Sequence, residues 1–430
     1  MANQGDVDKL LEGVDVWNQW RQDNPDVEPD LSDCVIGDAA FLANYKGIRE
    51  AEDAPLDLSN INFSQVNFKQ ARLVNVHMHG ADLSNACLQH ALLEKLYCDN
   101  SNFSDADLSM AELTNPCLKN SDFQNSKLSY AKFWNADMEN VNLWSANLDF
   151  AVLSGVNLHK ADLESASLVH VNLEGANLSH ANLWTANLHD SNLWHANCES
   201  ANLSDVDFSK ATLNGSVMKR ANLSGASFRD ADLGNVDVRY ADLTRSNFVN
   251  AHVTGIRYNK HSVYRGIQTS ACYGSPMFKR FAQDQDYVEE FKTMQWDPFA
   301  WLRHTHAWKW AKPIPLGLYL YWGWYVTSDC GRSLFRWSLL TVFLAIFFGV
   351  IYYQLGESSF HINSYDGVGL PWSQGTMIYY SVITFSTLGF GDIVPKNPLA
   401  VRWVIAEVIT GYIMLGGLIS ILAGKMARRA

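Results

Sequence analysis

The sequence predicts a chain of two unlike parts. The first is an N-terminal β-solenoid of square cross-section with helical caps, and the second is a C-terminal all-α membrane domain of two spans. Three observations carry this. A leucine, or a residue of similar bulk, recurs at every fifth position from Leu58 to Val253. Two long apolar runs follow, from about Leu334 to Leu355 and from about Leu399 to Leu422. Between them lies an uncharged amphipathic run, Trp372 to Ser386, and then the hexapeptide Thr387-Leu388-Gly389-Phe390-Gly391-Asp392.

The repeat register is read from Leu83, Leu88 and Leu93, and holds through Leu143, Leu148, Leu153, Leu158, Leu163 and Leu168. Phe123, Met138, Cys98, Cys198 and Val238 stand in for leucine at some positions. Two residues ahead comes a small side chain, as at Ala146, Ala161, Ala166, Ala176, Ala181 and Ala186, and Asn or Asp usually lies between. A period of five matches neither the helical 3.6 nor the strand period of 2. It fits a square coil with one pentapeptide per side, in which Leu and Ala point in and the other three residues point out. About 40 consecutive copies exclude chance. The A-(N/D)-L-x-x pattern resembles the pentapeptide-repeat family. That resemblance implies a right-handed quadrilateral β-helix of four sides per coil, hence about ten coils and a rod on the order of 48 Å long.

Both ends of the solenoid need covering. Val7, Leu10, Leu11, Val14 and Trp17 are spaced as one amphipathic helix that caps the N-terminal end. Pro29-Asp30-Leu31, Cys34-Val35-Ile36 and Ala39-Ala40-Phe41 are degenerate triplets in another register, and Leu42 to Pro55 is an insertion that resets the phase. Phe278, Phe281, Val288 and Phe291 predict a second capping helix. Trp134, Trp144, Trp184 and Trp194 each follow an inward residue, so they point outward. The first and last of them share one side of the coil, and the middle two share the opposite side.

The first apolar run has a charge-free core, Trp337 to Tyr353, about long enough to cross the hydrocarbon layer. Arg332 and Arg336 precede it, and Lys425, Arg428 and Arg429 follow the second run. The positive-inside rule then places both termini in the cytosol and the connecting loop outside. The acidic start, Met1 to Asp38, has no apolar run, so no signal peptide is expected. Trp308-Lys309-Trp310 and the stretch Leu316 to Tyr325, set off by Pro313 and Pro315, are rich in Trp and Tyr. About ten residues is too short to span. An interfacial helix along the inner leaflet and a hydrophobic cap on the solenoid both remain open for it.

The hexapeptide resembles the selectivity filter of potassium channels, usually written TVGYGD. Tyr379 to Ser386 aligns without a gap with the pore helix of bacterial two-span potassium channels. The resemblance implies that backbone carbonyls of Thr387, Leu388, Gly389, Phe390 and Gly391 replace the water shell of potassium ions. Gly389 and Gly391 then supply the positive φ that turns successive carbonyls toward one axis. The Thr387 hydroxyl adds the innermost oxygens, and Asp392 is the carboxylate at the outer mouth. Two departures matter. Phe390 lacks the phenolic hydroxyl that often braces the filter, and Ile383 stands where the family keeps a glutamate on the pore helix. The stabilisation behind this filter must therefore differ.

Glu407 is the only carboxylate within the second run. A charge there normally faces a cavity or a partner. Two readings are open: it braces the filter from behind in place of the missing glutamate, or it lies near the lipid headgroups. Gly411, Gly416 and Gly417 also have two readings, an inner-helix hinge or close helix packing.

The formal net charge is −12 and unevenly spread. Residues 56–255 hold 22 acids and 13 bases, whereas residues 271–430 hold 10 acids and 13 bases. Acid thus collects in the cytosolic part and base near anionic lipid. The seven cysteines, Cys34, Cys87, Cys98, Cys117, Cys198, Cys272 and Cys330, include no CxxC and none in the outer loop, which predicts reduced structural thiols. There is no nucleophile–base set, phosphate loop or zinc motif, so no enzyme is predicted. No arginine-rich voltage-sensing helix is present, and no ligand-binding domain is expected after the second span.

The predicted organisation is a capping helix with degenerate first repeats (1–55), the solenoid (56–255), a cap and helical linker (256–312), an interfacial slide-like helix (313–333) and the two-span pore domain (334–430). The expected function is a multi-pass, tetrameric potassium-selective channel of a bacterial inner membrane. Its cytosolic solenoid would serve assembly, scaffolding or regulation. Its expected partners are the bilayer, three further copies and an unidentified cytosolic protein, with no nucleic acid and no cofactor besides potassium ions in the filter. The alternative is a membrane-anchored binding module of the DNA-mimic type with a gyrase-like partner. A non-selective cation channel is a third reading, which the retained Phe390-Gly391 disfavours.

Overall fold

The computed structural model describes residues 2–46, 55–293, 334–362, 370–386 and 392–427. They fall into two compact units, Met1–Glu289 and Glu290–Ala430. The expected slide-like helix at 313–333 lies outside the described residues.

In the first unit, each outward ladder residue bridges in parallel to a residue one coil on. One ladder runs Asn62, Asp82, Asn102, Asp122, Asn142, Asp162, Asn182, Asn202, Asn222 and Asp242. Three more run through Asn67, Lys132 and His77, so a regular coil has four sides of five residues. Where pairing extends along a side it makes short strands. β1 (Val35–Ile36), β3 (Arg72–Val74), β5 (Leu92–Glu94), β6 (Glu112–Thr114) and β7 (Lys132–Trp134) stack in that order as one parallel sheet. β2 (Leu56–Asp57) pairs with β4 (Val76–His77).

The pentapeptide consensus follows from the corners. The fifth residue of each repeat takes a left-handed conformation, as at Asn60 (φ 59°), Asn85 (58°) and Gly155 (68°). Asn and Gly reach that region at the least cost. A turn bond closes each corner, such as the Ala86 amide to the Leu83 carbonyl at 3.1 Å, and the Leu83 amide reaches the next coil at Asn102 O, 2.7 Å. The Asn/Asp position has two tasks. Asn142 Oδ1 accepts the Trp144 amide at 3.0 Å, a local turn bond that favours these side chains. Asn182 Nδ2 donates to Asp162 Oδ1 of the preceding coil at 2.9 Å. The Leu and Ala columns are sealed from solvent, and like residues stack along them. Phe103 and Phe123 lie 4.5 Å apart and nearly parallel. Trp134, Trp144, Trp184 and Trp194 are all exposed.

The N-terminal cap differs from the single helix expected. Gly13, at φ 107°, breaks it into α1 (Gln4–Leu11) and α2 (Val14–Asp23). The break lets α2 lie across the first coil. Trp17 Nε1 donates to Asn62 O at 2.6 Å, Asn18 Nδ2 to Asn60 O at 3.0 Å, and Arg21 to Ser64 O at 2.9 Å. Carbonyls of an open edge are thereby closed to further strand pairing. The first two degenerate triplets stack on the coil, with Asp30 bridging Asn67 and Val35 pairing with Arg72. The third does not. Asp38 accepts the Phe41 amide at 2.8 Å and caps a short helix, α3 (Ala39–Asn44), although Phe41 remains buried.

The solenoid also runs past the boundary expected at 255. Asp242 bridges Val263, Asn247 bridges Gln268 and His252 bridges Tyr273, each one residue longer than a coil. One residue is inserted after Arg257, and the buried pairs resume one position late at Ser262/Tyr264 and Ile267/Thr269. α4 (Pro276–Thr293) then covers this end. Phe278 is buried against Phe248, Glu289 accepts the Tyr264 amide, and Asp286 accepts the Gly266 amide at 2.7 Å.

The second unit contains α5 (Leu334–Gln354), α6 (Gln374–Phe385) and α7 (Pro398–Ala427). Phe335–Gln354 and Pro398–Ala423 are long and apolar enough to cross a membrane, with mean hydropathy 1.8 and 1.9. α6, with 12 residues, is too short to do so. β8 (Phe360–Ile362) pairs antiparallel with β9 (Ile393–Pro395), on the far side of the segment that follows α6.

Candidate pore site

α6 begins where Ser373 caps it, its hydroxyl accepting the Thr376 amide at 3.1 Å. Met377, Tyr380, Ser381, Thr384 and Phe385 are buried, whereas Tyr379 and Val382 are exposed on the same chain. Two glycines set how closely the spans approach this short helix. A methyl group at Gly349 of α5 would stand 2.6 Å from the Ile378 Cα. One at Gly411 of α7 would stand 2.5 Å from the Phe385 carbonyl oxygen. Gly417 faces the Trp337 ring, whose Nε1 donates to Met414 O at 2.9 Å. Gly416 has open space around it. Gly411 and Gly417 are therefore sites of close packing.

Thr387, Leu388, Gly389, Phe390 and Gly391 lie outside the described residues. The residues on either side of them are described. Asp392 is half-buried. Ile383 is buried, and its side chain carries no polar atom.

Glu407 is fully buried. Its carboxyl meets the Ser381 hydroxyl of α6 on one oxygen and the Tyr352 hydroxyl of α5 on the other, the latter at 2.5 Å. One side chain of α7 thus joins all three helices. Around it is an aromatic cluster: the Tyr352 ring lies 5.4 Å from Phe360 and 5.5 Å from Tyr380, and Phe360 lies 6.3 Å from Trp372. Phe360 belongs to β8, so the cluster continues into the β8–β9 ladder. The Lys396 amide donates to Ser359 O at 2.8 Å, and Asn397 Nδ2 to the Ser359 hydroxyl at 2.9 Å. The chain just beyond the hexapeptide is therefore held by backbone and side-chain bonds.

Sequence reasoning missed Tyr352, Ser381, Gly349 and Phe360. A signal existed for three of them: a tyrosine at the end of an apolar run, a serine inside an aromatic helix, and a lone glycine among bulky residues. None reveals its partner without the fold.

A family model described as "Ion channel" matches residues 325–428. One described as "Pentapeptide repeats" matches 57–94, 106–144, 146–184, 185–220 and 221–257. No curated protein matches. Among solved structures, the chain is similar to HetL, a pentapeptide repeat protein involved in heterocyst differentiation regulation from the cyanobacterium Nostoc sp. Strain PCC 7120. The identity is 23%, covering 50% of this chain and 88% of that one, with a TM-score of 0.19. It is also similar to a trypsin-treated variant of QnrB1, a plasmid-mediated fluoroquinolone resistance protein, at 20% identity, covering 43% and 91%, with a TM-score of 0.29.

Proposed function

We propose that this chain, which joins pentapeptide repeats to an ion channel domain, is the subunit of a tetrameric potassium-selective channel. One hexapeptide per chain requires four copies to ring an ion with carbonyls. Thr387, Leu388, Gly389, Phe390 and Gly391 form the filter, and Asp392 stands at its outer mouth. The single observation that carries the reading is the order of parts. A helix too short to span, held between two that do span, leads directly into T-L-G-F-G-D.

Glu407 takes over the brace that Ile383 does not supply. Its carboxyl ties the pore helix to both spans, and no other buried acid adjoins α6 among the described residues. The basic residues flanking the spans support a topology with the solenoid and both termini in the cytoplasm, the membrane domain lying in a bacterial inner membrane. The solenoid serves assembly, scaffolding or regulation of the pore.

The test is flux through the purified full-length protein in liposomes. Potassium and rubidium uptake well ahead of sodium, blocked by barium, supports the reading. Equal sodium and potassium flux would make it a non-selective cation channel. No flux, together with gyrase inhibition, would make the membrane part an anchor for a binding module.

A further inference from the structure

The contacts of Glu407 hold more oxygen atoms than hydroxyl protons. The Ser381 hydroxyl lies 2.7 Å from the Ala345 carbonyl of α5, and it also touches Glu407 Oε1. The Tyr352 hydroxyl lies 2.5 Å from Glu407 Oε2. These are three short oxygen–oxygen contacts, and each needs one proton. Ser381 and Tyr352 supply one proton apiece. The Ala345 carbonyl can only accept, so the Ser381 proton belongs there. The Trp403 carbonyl, 3.5 Å from the Tyr352 oxygen, is too far to claim the tyrosine's proton. That proton goes to Glu407 Oε2. The contact between Glu407 Oε1 and the Ser381 oxygen is then left without one, and only the carboxyl can provide it.

We infer that Glu407 carries a proton in this arrangement and acts as a neutral hydrogen-bond donor to Ser381. The bonds then run in one direction: Tyr352 to Glu407, Glu407 to Ser381, Ser381 to the Ala345 carbonyl. Every polar atom in the sealed site has a partner, and no uncompensated charge is buried. The ionised alternative leaves Ser381 serving two acceptors with one proton. It also buries a carboxylate with no cation beside it among the described residues, where the neighbouring groups are Tyr352 from α5 and Ser381 and Tyr380 from α6. Glu407 is thereby a positioning residue, holding the pore helix to both spans through donated and accepted bonds rather than through charge.

The inference deepens the reading of Glu407 as a brace and rests on it for any effect on flux. The proton itself is tested independently of conduction. In lipid-reconstituted full-length protein, the infrared difference spectrum of wild type minus Glu407→Gln should show a protonated-carboxyl band at neutral pH. Tyr352→Phe, which deletes only the bond to Oε2, should shift that band to higher frequency. A pair of carboxylate bands in place of the acid band overturns the inference. So does an acid band unmoved by Tyr352→Phe. On the flux side, glutamine can donate to Ser381 and accept from Tyr352, so Glu407→Gln should retain conduction. Glu407→Ala leaves the buried Tyr352 hydroxyl without its acceptor and Ser381 without its donor, and should lower open probability by about tenfold. Equal losses in the two variants would show that charge, not hydrogen-bond direction, is what the site uses. An acid band in a protein without potassium flux would leave the proton in place and discard the channel reading alone.

Discussion

Gly411 of the second span sits directly against the last carbonyl of the pore helix. A methyl group there would stand 2.5 Å from the Phe385 oxygen, well inside van der Waals contact. The C-terminal end of α6 is thus positioned by the absence of a side chain on α7. Gly411→Ala should push the two helices apart and cost about 1–3 kcal/mol of stability. The check is the thermal dissociation of the purified oligomer, where Gly411→Ala should melt lower than Gly416→Ala, since Gly416 has free space around it. Equal melting of the two would remove the packing role.

The solenoid offers a prediction in pH. Asp237 is buried, and Arg239 holds it with Nε at 2.8 Å and its own amide at 3.1 Å. Burial pushes the Asp237 carboxyl up, but the Arg239 side-chain and amide bonds outweigh it and set the carboxyl below its ordinary range. A depressed carboxylate contributes stability that is present above its unfolded value, near pH 4, and lost as pH falls through the folded one. Arg239→Ala should therefore lower the unfolding midpoint at pH 7, and the deficit should shrink as the pH falls through the folded value of Asp237. Urea unfolding followed by circular dichroism over that fall in pH reads this. A mutant deficit that grows on acidification would contradict it.

The exposed tryptophans make a prediction about assembly. Trp134 and Trp194 lie on one side of the coil, and Trp144 and Trp184 on the opposite side, by the 20-residue step. Large exposed aromatics favour interfaces. At least one pair should be covered in the oligomer. Trp134→Ala with Trp194→Ala, or Trp144→Ala with Trp184→Ala, should weaken self-association in analytical ultracentrifugation. Wild-type assembly and gating in both double variants would leave these side chains without an assembly role.

Gly389→Ala should abolish conduction while the protein still assembles. The filter conformation implied by the resemblance needs positive φ at Gly389, and a Cβ obstructs it. Single-channel recording beside size-exclusion chromatography separates lost conduction from lost assembly. Normal currents from Gly389→Ala would discard the assigned backbone.

Much of the fold was legible because its rule is local. Leu83, Leu88 and Leu93 each mark one side of a coil, and Asn142 shows in its own turn bond why the neighbouring position is Asn or Asp. The end of the solenoid was not legible, because one inserted residue after Arg257 moved the inward pairs to Ser262/Tyr264 and broke the count. Gly13 splits the N-terminal cap at a point that an amphipathic spacing runs straight through. Around the pore, Glu407 stood out as a lone acid, but its partners lie 26 and 55 residues away at Ser381 and Tyr352. Contacts of that separation exist only once the helices pack. Whether Gly411 bends or packs likewise depended on where the Phe385 carbonyl falls. The filter role of Thr387 to Gly391 rests on family resemblance, since nothing in T-L-G-F-G-D taken alone distinguishes a filter from a glycine-rich turn.

The most direct measurement of the central claim is the bi-ionic reversal potential of the purified full-length protein in a planar bilayer, with potassium on one side and sodium on the other. A selective filter built from Thr387 to Gly391 predicts a reversal potential strongly displaced toward the potassium equilibrium, with barium blocking the current. A reversal potential near zero, or no current from protein that is correctly assembled, would contradict it.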